Sequence, residues 1–169
     1  MVNNMAETKN EMDTNPFCII RIRGNPSMKR RIQYTLQLLN LHKANHCTIV
    51  PDNSSVRGML QKAKDYIAFG KPSEEMIEKL LDKRARIRGN KPLTDSHIRY
   101  STVYKSKGDL AKAIHAGKIN LKEVKDLKPV FRLHPPKGGF PGSVKKAAGA
   151  KGVLGDVEEK IDMFLQKMI

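Results

Sequence analysis

The stretch 48–60 limits the fold more than any other, because the apolar run Thr48-Ile49-Val50 stops at Pro51 and a helical periodicity starts a few residues later. Pro51 has no N–H for a sheet ladder, and Asp52, Asn53, Ser54 and Ser55 supply a turn with several possible helix caps. Val56, Met59, Leu60, Ala63 and Ile67 then recur at helical spacing, so the joint predicts strand, turn, helix. The same order precedes it. Cys18-Ile19-Ile20-Arg21-Ile22-Arg23 reads as a strand and Gly24-Asn25-Pro26-Ser27 as a turn, while Met28, Ile32, Thr35, Leu36 and Leu39 form one face of a helix ending near Leu41. Two strand-turn-helix units in tandem point to an α+β fold.

Side chains alternate along a strand, so Cys18, Ile20 and Ile22 share one face and Phe17, Ile19, Arg21 and Arg23 the other. The first face is expected to pack on the helices, leaving the second with a cationic end. Lys29, Arg30 and Arg31 carry that charge into the first turn of the first helix, and Arg57 holds the same place in the second. Cations at a helix N-terminus oppose its dipole. Two readings fit: an external anion that also takes the free N–H groups, or a solvated basic turn.

The whole chain sharpens the question, since 32 Lys and Arg against 17 Asp and Glu leave a net charge of +15. That exceeds what solubility needs and favours a polyanionic partner. A membrane is a poor candidate, because no apolar run approaches the ~20 residues that span a bilayer and neither end carries a lipidation signal. Residues 1–15 lack hydrophobic periodicity and resemble neither a signal nor a transit peptide, which predicts a flexible tail on a cytoplasmic protein. Cys18 and Cys47 sit in apolar strands without CxxC spacing, and are expected to be buried, reduced thiols.

Beyond Phe69-Gly70-Lys71-Pro72 the chain leaves the tandem pattern and reads as an all-helical insert. Ser73 opens a helix whose Met76, Ile77, Leu80 and Leu81 face inward, and it runs into Lys83, Arg84, Arg86, Arg88 and Lys91 ahead of Gly89-Asn90. A helix C-terminus welcomes cations without any ligand, yet the cluster is also a candidate phosphate-contacting patch. Three short helical pieces follow, capped by Thr94 or Asp95, starting at Asp109 and starting at Leu121. Pro129-Val130-Phe131-Arg132-Leu133 reads as a further strand, and Lys137-Gly138-Gly139-Phe140-Pro141-Gly142 as an irregular loop whose glycines allow close backbone approach and whose Phe140 could wedge or stack, features useful against RNA and equally common in a surface turn. Lys145 and Lys146 extend it as a flexible basic segment, and Asp156 caps a last amphipathic helix bearing Val157, Ile161, Phe164, Leu165 and Met168.

With Ile20-Arg21-Ile22-Arg23-Gly24, Pro51-Asp52, Val56-Arg57-Gly58-Met59-Leu60 and Arg132-Leu133-His134-Pro135-Pro136-Lys137-Gly138-Gly139-Phe140 in this order, the chain resembles the universal large-subunit ribosomal protein family numbered thirty, in its archaeal branch. The eukaryotic relative, large-subunit protein seven, is similar but adds a long basic N-terminal arm that residues 1–15 do not match. The resemblance implies a three-stranded antiparallel sheet with two helices on one face, a truncated ferredoxin-like fold, joined here by the helical insert and the C-terminal helix. Residues 16–69 and 128–140 would be the core, 70–127 the insert and 141–169 a basic loop and helix, all one rRNA-binding domain.

The same resemblance implies binding of large-subunit rRNA within the subunit, beside neighbouring ribosomal proteins and with the small five-S rRNA as a further partner, without cofactor or catalysis. Its RNA-facing elements fall on Arg21, Arg23, Lys29, Arg30, Arg31, Arg57, Lys137, Gly138 and Gly139. To these the basic residues Lys83, Arg84, Arg86, Arg88, Lys91, Arg132, Lys145 and Lys146 are added from their charge and placement. Enzymes find little footing: His42 and His46 have metal-ligand spacing but straddle a helix end and a strand start, and neither a nucleophile elbow nor a phosphate-cradling Gly-rich loop is present. A small-molecule regulatory domain of ferredoxin-like type has no use for +15.

Overall fold

β1 (Phe17–Arg21) lies at the centre of a sheet that the rest of the chain covers on both faces. The computed structural model describes residues 15–169, so all but the last residue of the expected tail lies outside the described residues. After β1 come α1 (Arg30–Leu38), β2 (His46–Val50), α2 (Ser54–Ala63) and β3 (Ile67–Gly70). The insert holds α3 (Glu74–Lys83), α4 (Asp95–Ser101) and α5 (Lys107–His115), and the chain closes with β4 (Phe131–Arg132), β5 (Ser143–Ala147), β6 (Gly152–Asp156) and α6 (Lys160–Met168).

The strands form one mixed sheet in the order β4-β2-β1-β3-β6-β5. Its central trio, β2-β1-β3, is antiparallel, but the third member is β3 and not the segment around Pro129. Ile67 lies at helical spacing from Ala63, yet α2 stops at Ala63, Tyr66 N–H donates to Ala63 O, and Ile67 begins a ladder opposite Arg21. A four-residue apolar run carries too little periodicity to separate strand from helix end. The expected strand at 129–133 shrinks to two laddered residues on the edge beyond β2. Pro129 cannot donate to a ladder and is held instead through its carbonyl, which accepts from the Thr48 hydroxyl at 2.7 Å.

Both faces of β1 are buried, which corrects the expectation that only the face of Cys18 and Ile20 meets helices. Ile19 packs with Leu36 and Leu39 at α1, Val56, Leu60 and Ala63 of α2, and Ile67. On the reverse, Cys18 and Ile20 join Ile77, Leu80 and Leu81 of α3, Leu110 and Ile114 of α5, and Phe164 and Leu165 of α6. The insert and the last helix thus close the second half of a layered core. At about 25 cal/mol per Å² of apolar surface, that layer is a major source of stability.

Residues 143–156 are ordered as β5 and β6, so the expected flexible basic segment is an exposed edge strand. β6 runs parallel to β3, with Val157 N–H donating to Phe69 O at 2.9 Å. The crossing requires Gly70, where a Cβ would run into the Glu158 carbonyl. α6 is anchored to α3 by charge as well as by packing: Ser73, at the start of α3, makes no side-chain cap, and its N–H donates to both Asp162 carboxylate oxygens at 3.2 Å. The Cys18 and Cys47 thiols are free, fully buried and 3.4 Å apart, and their hydrogen bond together with burial pushes the Cys18 thiol well above its ordinary range.

Candidate nucleic-acid interface

Arg21 and Arg23 face different surroundings although only Ile22 separates them. Arg21 is 2% exposed. Its guanidinium donates to Leu41 O at 2.8 Å, His42 O at 3.0 Å and Arg23 O at 2.9 Å, and also to Asn25 Oδ1. These acceptors tie the turn after β1 to the end of the α1–β2 connection. Arg21, expected to meet RNA, is in this fold an internal crosslink, buried and with its donors given to acceptors of the chain itself.

Arg23 lies past the end of β1, half-buried, with its guanidinium 5.0 Å from the centre of the Tyr66 ring and donating to Asp65 O at 3.3 Å. Stacking on an aromatic face fixes the flat cation while leaving donors free. Beside it Lys29 occupies the N-cap position of α1 with extended backbone and no side-chain cap, in a first turn without acidic residues. Lys145 arrives from β5, more than a hundred positions further on. Together Arg23, Lys29 and Lys145, with Ser27, Ile32, Asp65 and Tyr66, line an open groove of about 320 Å³. Arg30 and Arg31 are exposed on the adjoining turn. Three cations against one carboxylate, beside a helix N-terminus, make a groove suited to a phosphate chain.

Residues 17–67 match the family model described as Ribosomal protein L30p/L7e. The chain is 44% identical over 152 residues to the large ribosomal subunit protein uL30 of Archaeoglobus fulgidus, covering 90% of this chain and 99% of that protein. The chain belongs to the L30p/L7e family. It is likewise 45% identical over 158 residues to the uL30 protein of Staphylothermus marinus and 43% identical over 152 residues to that of Methanothrix thermoacetophila, each alignment covering 90% of this chain and 98% or 99% of the relative. The family model ends at Ile67, so it spans Arg23 and Tyr66 of the groove, whereas Lys145 lies beyond it.

Other expected contacts are dispersed. Arg57 is clasped by Asp52 through a bidentate pair, Nε to Oδ1 at 2.5 Å and the second nitrogen to Oδ2 at 2.7 Å, and the carboxylate side chain is 1% exposed against 63% for the arginine. Asn53, not Asp52, caps α2 by accepting from Val56 N–H at 2.8 Å. The Arg57 hydrogen bonds and charge hold the Asp52 carboxyl below its usual range despite burial. A depressed acid stabilises the fold above its unfolded pKa, and that contribution is lost as pH falls through the folded pKa. Asp52→Asn is therefore expected to narrow its stability gap to the parent as pH drops below about 4, read by urea unfolding at a series of pH values.

Arg132 is exposed on the β4 edge, and Lys137 is exposed in its loop. Gly138 and Gly139 adopt φ of 74° and 77°, and the loop is moored by Lys137 N–H donating to Lys167 O at 3.0 Å. Phe140, open in sequence to wedging or stacking on RNA and equally to a place in a surface turn, is half-buried and meets the Phe164 ring edge-on at 5.6 Å. Of the basic residues at and just beyond the end of α3, Lys83, Arg88 and Lys91 are exposed. Arg84 turns inward to donate to Ile169 O at 2.6 Å, and Arg86 is half-buried with a bond to Ala85 O at 3.2 Å. Lys145 and Lys146 are both exposed.

Tyr66 has no signal in the linear sequence, because its meeting with Arg23 depends on β1 pairing with β3. The larger cleft of about 720 Å³ carries Asp52, Asp156, Glu158, Glu159 and Asp162 beside Arg57, Lys71 and His115. Acidic residues are thus gathered there, away from the Arg23 groove. Among the described residues no group of three or more His, Cys, Asp or Glu side chains is placed to hold a metal ion.

Proposed function

We propose that this chain is a structural constituent of the large ribosomal subunit, where it binds ribosomal RNA and supports subunit assembly and translation. The observation that carries the reading is the groove in which Arg23, Lys29 and Lys145 converge beside Tyr66. Lys83, Arg88, Lys91, Arg132, Lys137 and Lys146 add exposed cations around the same body, with the Gly138–Gly139 turn allowing close backbone approach. Residues 16–169 act as one RNA-binding unit, and the partners are large-subunit rRNA, the small five-S rRNA and neighbouring ribosomal proteins. The work requires positioned charge and no reacting group, so no catalysis is assigned. Its place is the ribosome of the cytoplasm.

Sedimentation of a cell extract, followed by RNA crosslinking and peptide mapping, tests this. The protein is expected to travel with the large subunit and to crosslink through the peptides that carry Arg23, Lys29 and Lys145. Sedimentation free of RNA at physiological salt would overturn the assignment.

A further inference from the structure

Arg132, His46 and Arg21 stand level on three neighbouring strands. β4 pairs Arg132 with His46, and the register that sets Ile20 opposite Cys47 brings Arg21 level with His46. Their sequence neighbours Phe131, Cys47 and Ile20 belong to the core beneath α3 and α6, so strand alternation puts all three basic side chains on the other face. Like charges directly opposite one another in a sheet repel. Arg21 escapes by giving its donors to the Leu41 and His42 carbonyls. The same connection carries the exposed side chains of His42 and Lys43.

His46 has no such relief. Its Nδ1 is buried and has no hydrogen-bond partner among the described residues. Burial lowers its pKa first, and Arg132, His42, Lys43 and Arg21 lower it further. Among the described residues every charged group acting on this imidazole is thus basic, and the exposed rim of the cluster, Arg132 and Lys43, opens to solvent at the sheet edge.

We propose that Arg132, His46 and Lys43 form a second phosphodiester-binding site, at the β2–β4 edge and separate from the Arg23 groove. The inference rests on the RNA-binding reading above and adds to it a particular site with its own pH response. A phosphate against Arg132 and Lys43 offsets the repulsion that these cations add to burial in lowering the His46 pKa, so the imidazole takes up a proton more readily as RNA docks. Binding then tightens as pH falls through the range between the free and bound pKa of His46. In the free protein the sign is opposite for stability, because a depressed histidine destabilises the fold as pH falls below about 6.5.

The test is filter binding of the full chain to large-subunit rRNA across salt concentrations, at about pH 7.5 and about pH 5.5. Arg132→Gln and Lys43→Gln, both exposed positions, are each expected to reduce the slope of log affinity against log salt by about 0.7–0.9. His46→Gln is expected to remove most of the tightening at the lower pH. If Arg132→Gln and Lys43→Gln keep the parental slope while substitutions in the Arg23 groove weaken binding, this site is wrong and the RNA-binding reading stands. Failure of the parent chain to bind the RNA at any salt would remove both. Low-pH tightening that persists in His46→Gln overturns the histidine's role, and Arg132→Gln supplies the readout should His46→Gln fail to fold.

Discussion

Arg21→Met is expected to destabilise the fold by about 3 kcal/mol, since it leaves the carbonyls of Leu41, His42 and Arg23 and the Asn25 side chain without a donor in a region where Arg21 itself is 2% exposed. Methionine keeps most of the apolar stem, so the loss isolates the guanidinium. Lysine keeps the charge but cannot fork to several acceptors at once, and Arg21→Lys should recover little of the loss. Urea unfolding would show a lower midpoint with an unchanged slope. A loss under about 1 kcal/mol, together with weakened RNA binding, would return Arg21 to the RNA surface.

The triple replacement Arg23→Gln, Lys29→Gln and Lys145→Gln carries the largest expected effect on binding. Each lost phosphate contact reduces the salt slope by about 0.7–0.9, so the three together should remove about 2 to 3, with an affinity loss of roughly a hundredfold at physiological salt. Stability should change little, because Lys29 and Lys145 are exposed and the stacked Arg23 contributes about 0.5–1 kcal/mol. Parental affinity in the triple variant would show that the RNA lies elsewhere, with the sheet edge around Arg132 as the next place to look.

The two effects separate residues that the linear sequence presents as equals. Arg21 and Arg23 share one face of an alternating strand, but strand alternation holds only while the strand lasts, and β1 ends at Arg21. Arg57 and Lys29 both stand at helix starts, yet one is clasped by a buried carboxylate and the other, among the described residues, by nothing comparable. Position along a helix reports the local dipole; it does not report the acid that folding brings alongside.

What the sequence determined by itself is the set of features with short range: the two strand-turn-helix joints at residues 17–63, the inward stripe of α3, the helical character of the insert, the glycine turn at 138–139 and the positive charge that calls for a polyanion. These follow from neighbours within a few residues, where periodicity and capping chemistry operate. Tertiary structure decided the rest. It turned Ile67 from a helical spacing into a strand, laid 143–156 along the sheet as β5 and β6, buried Phe140 on α6, and brought Lys145 to Arg23. Each of these depends on a partner arriving from tens of residues away, and a local pattern carries no record of which partner will come.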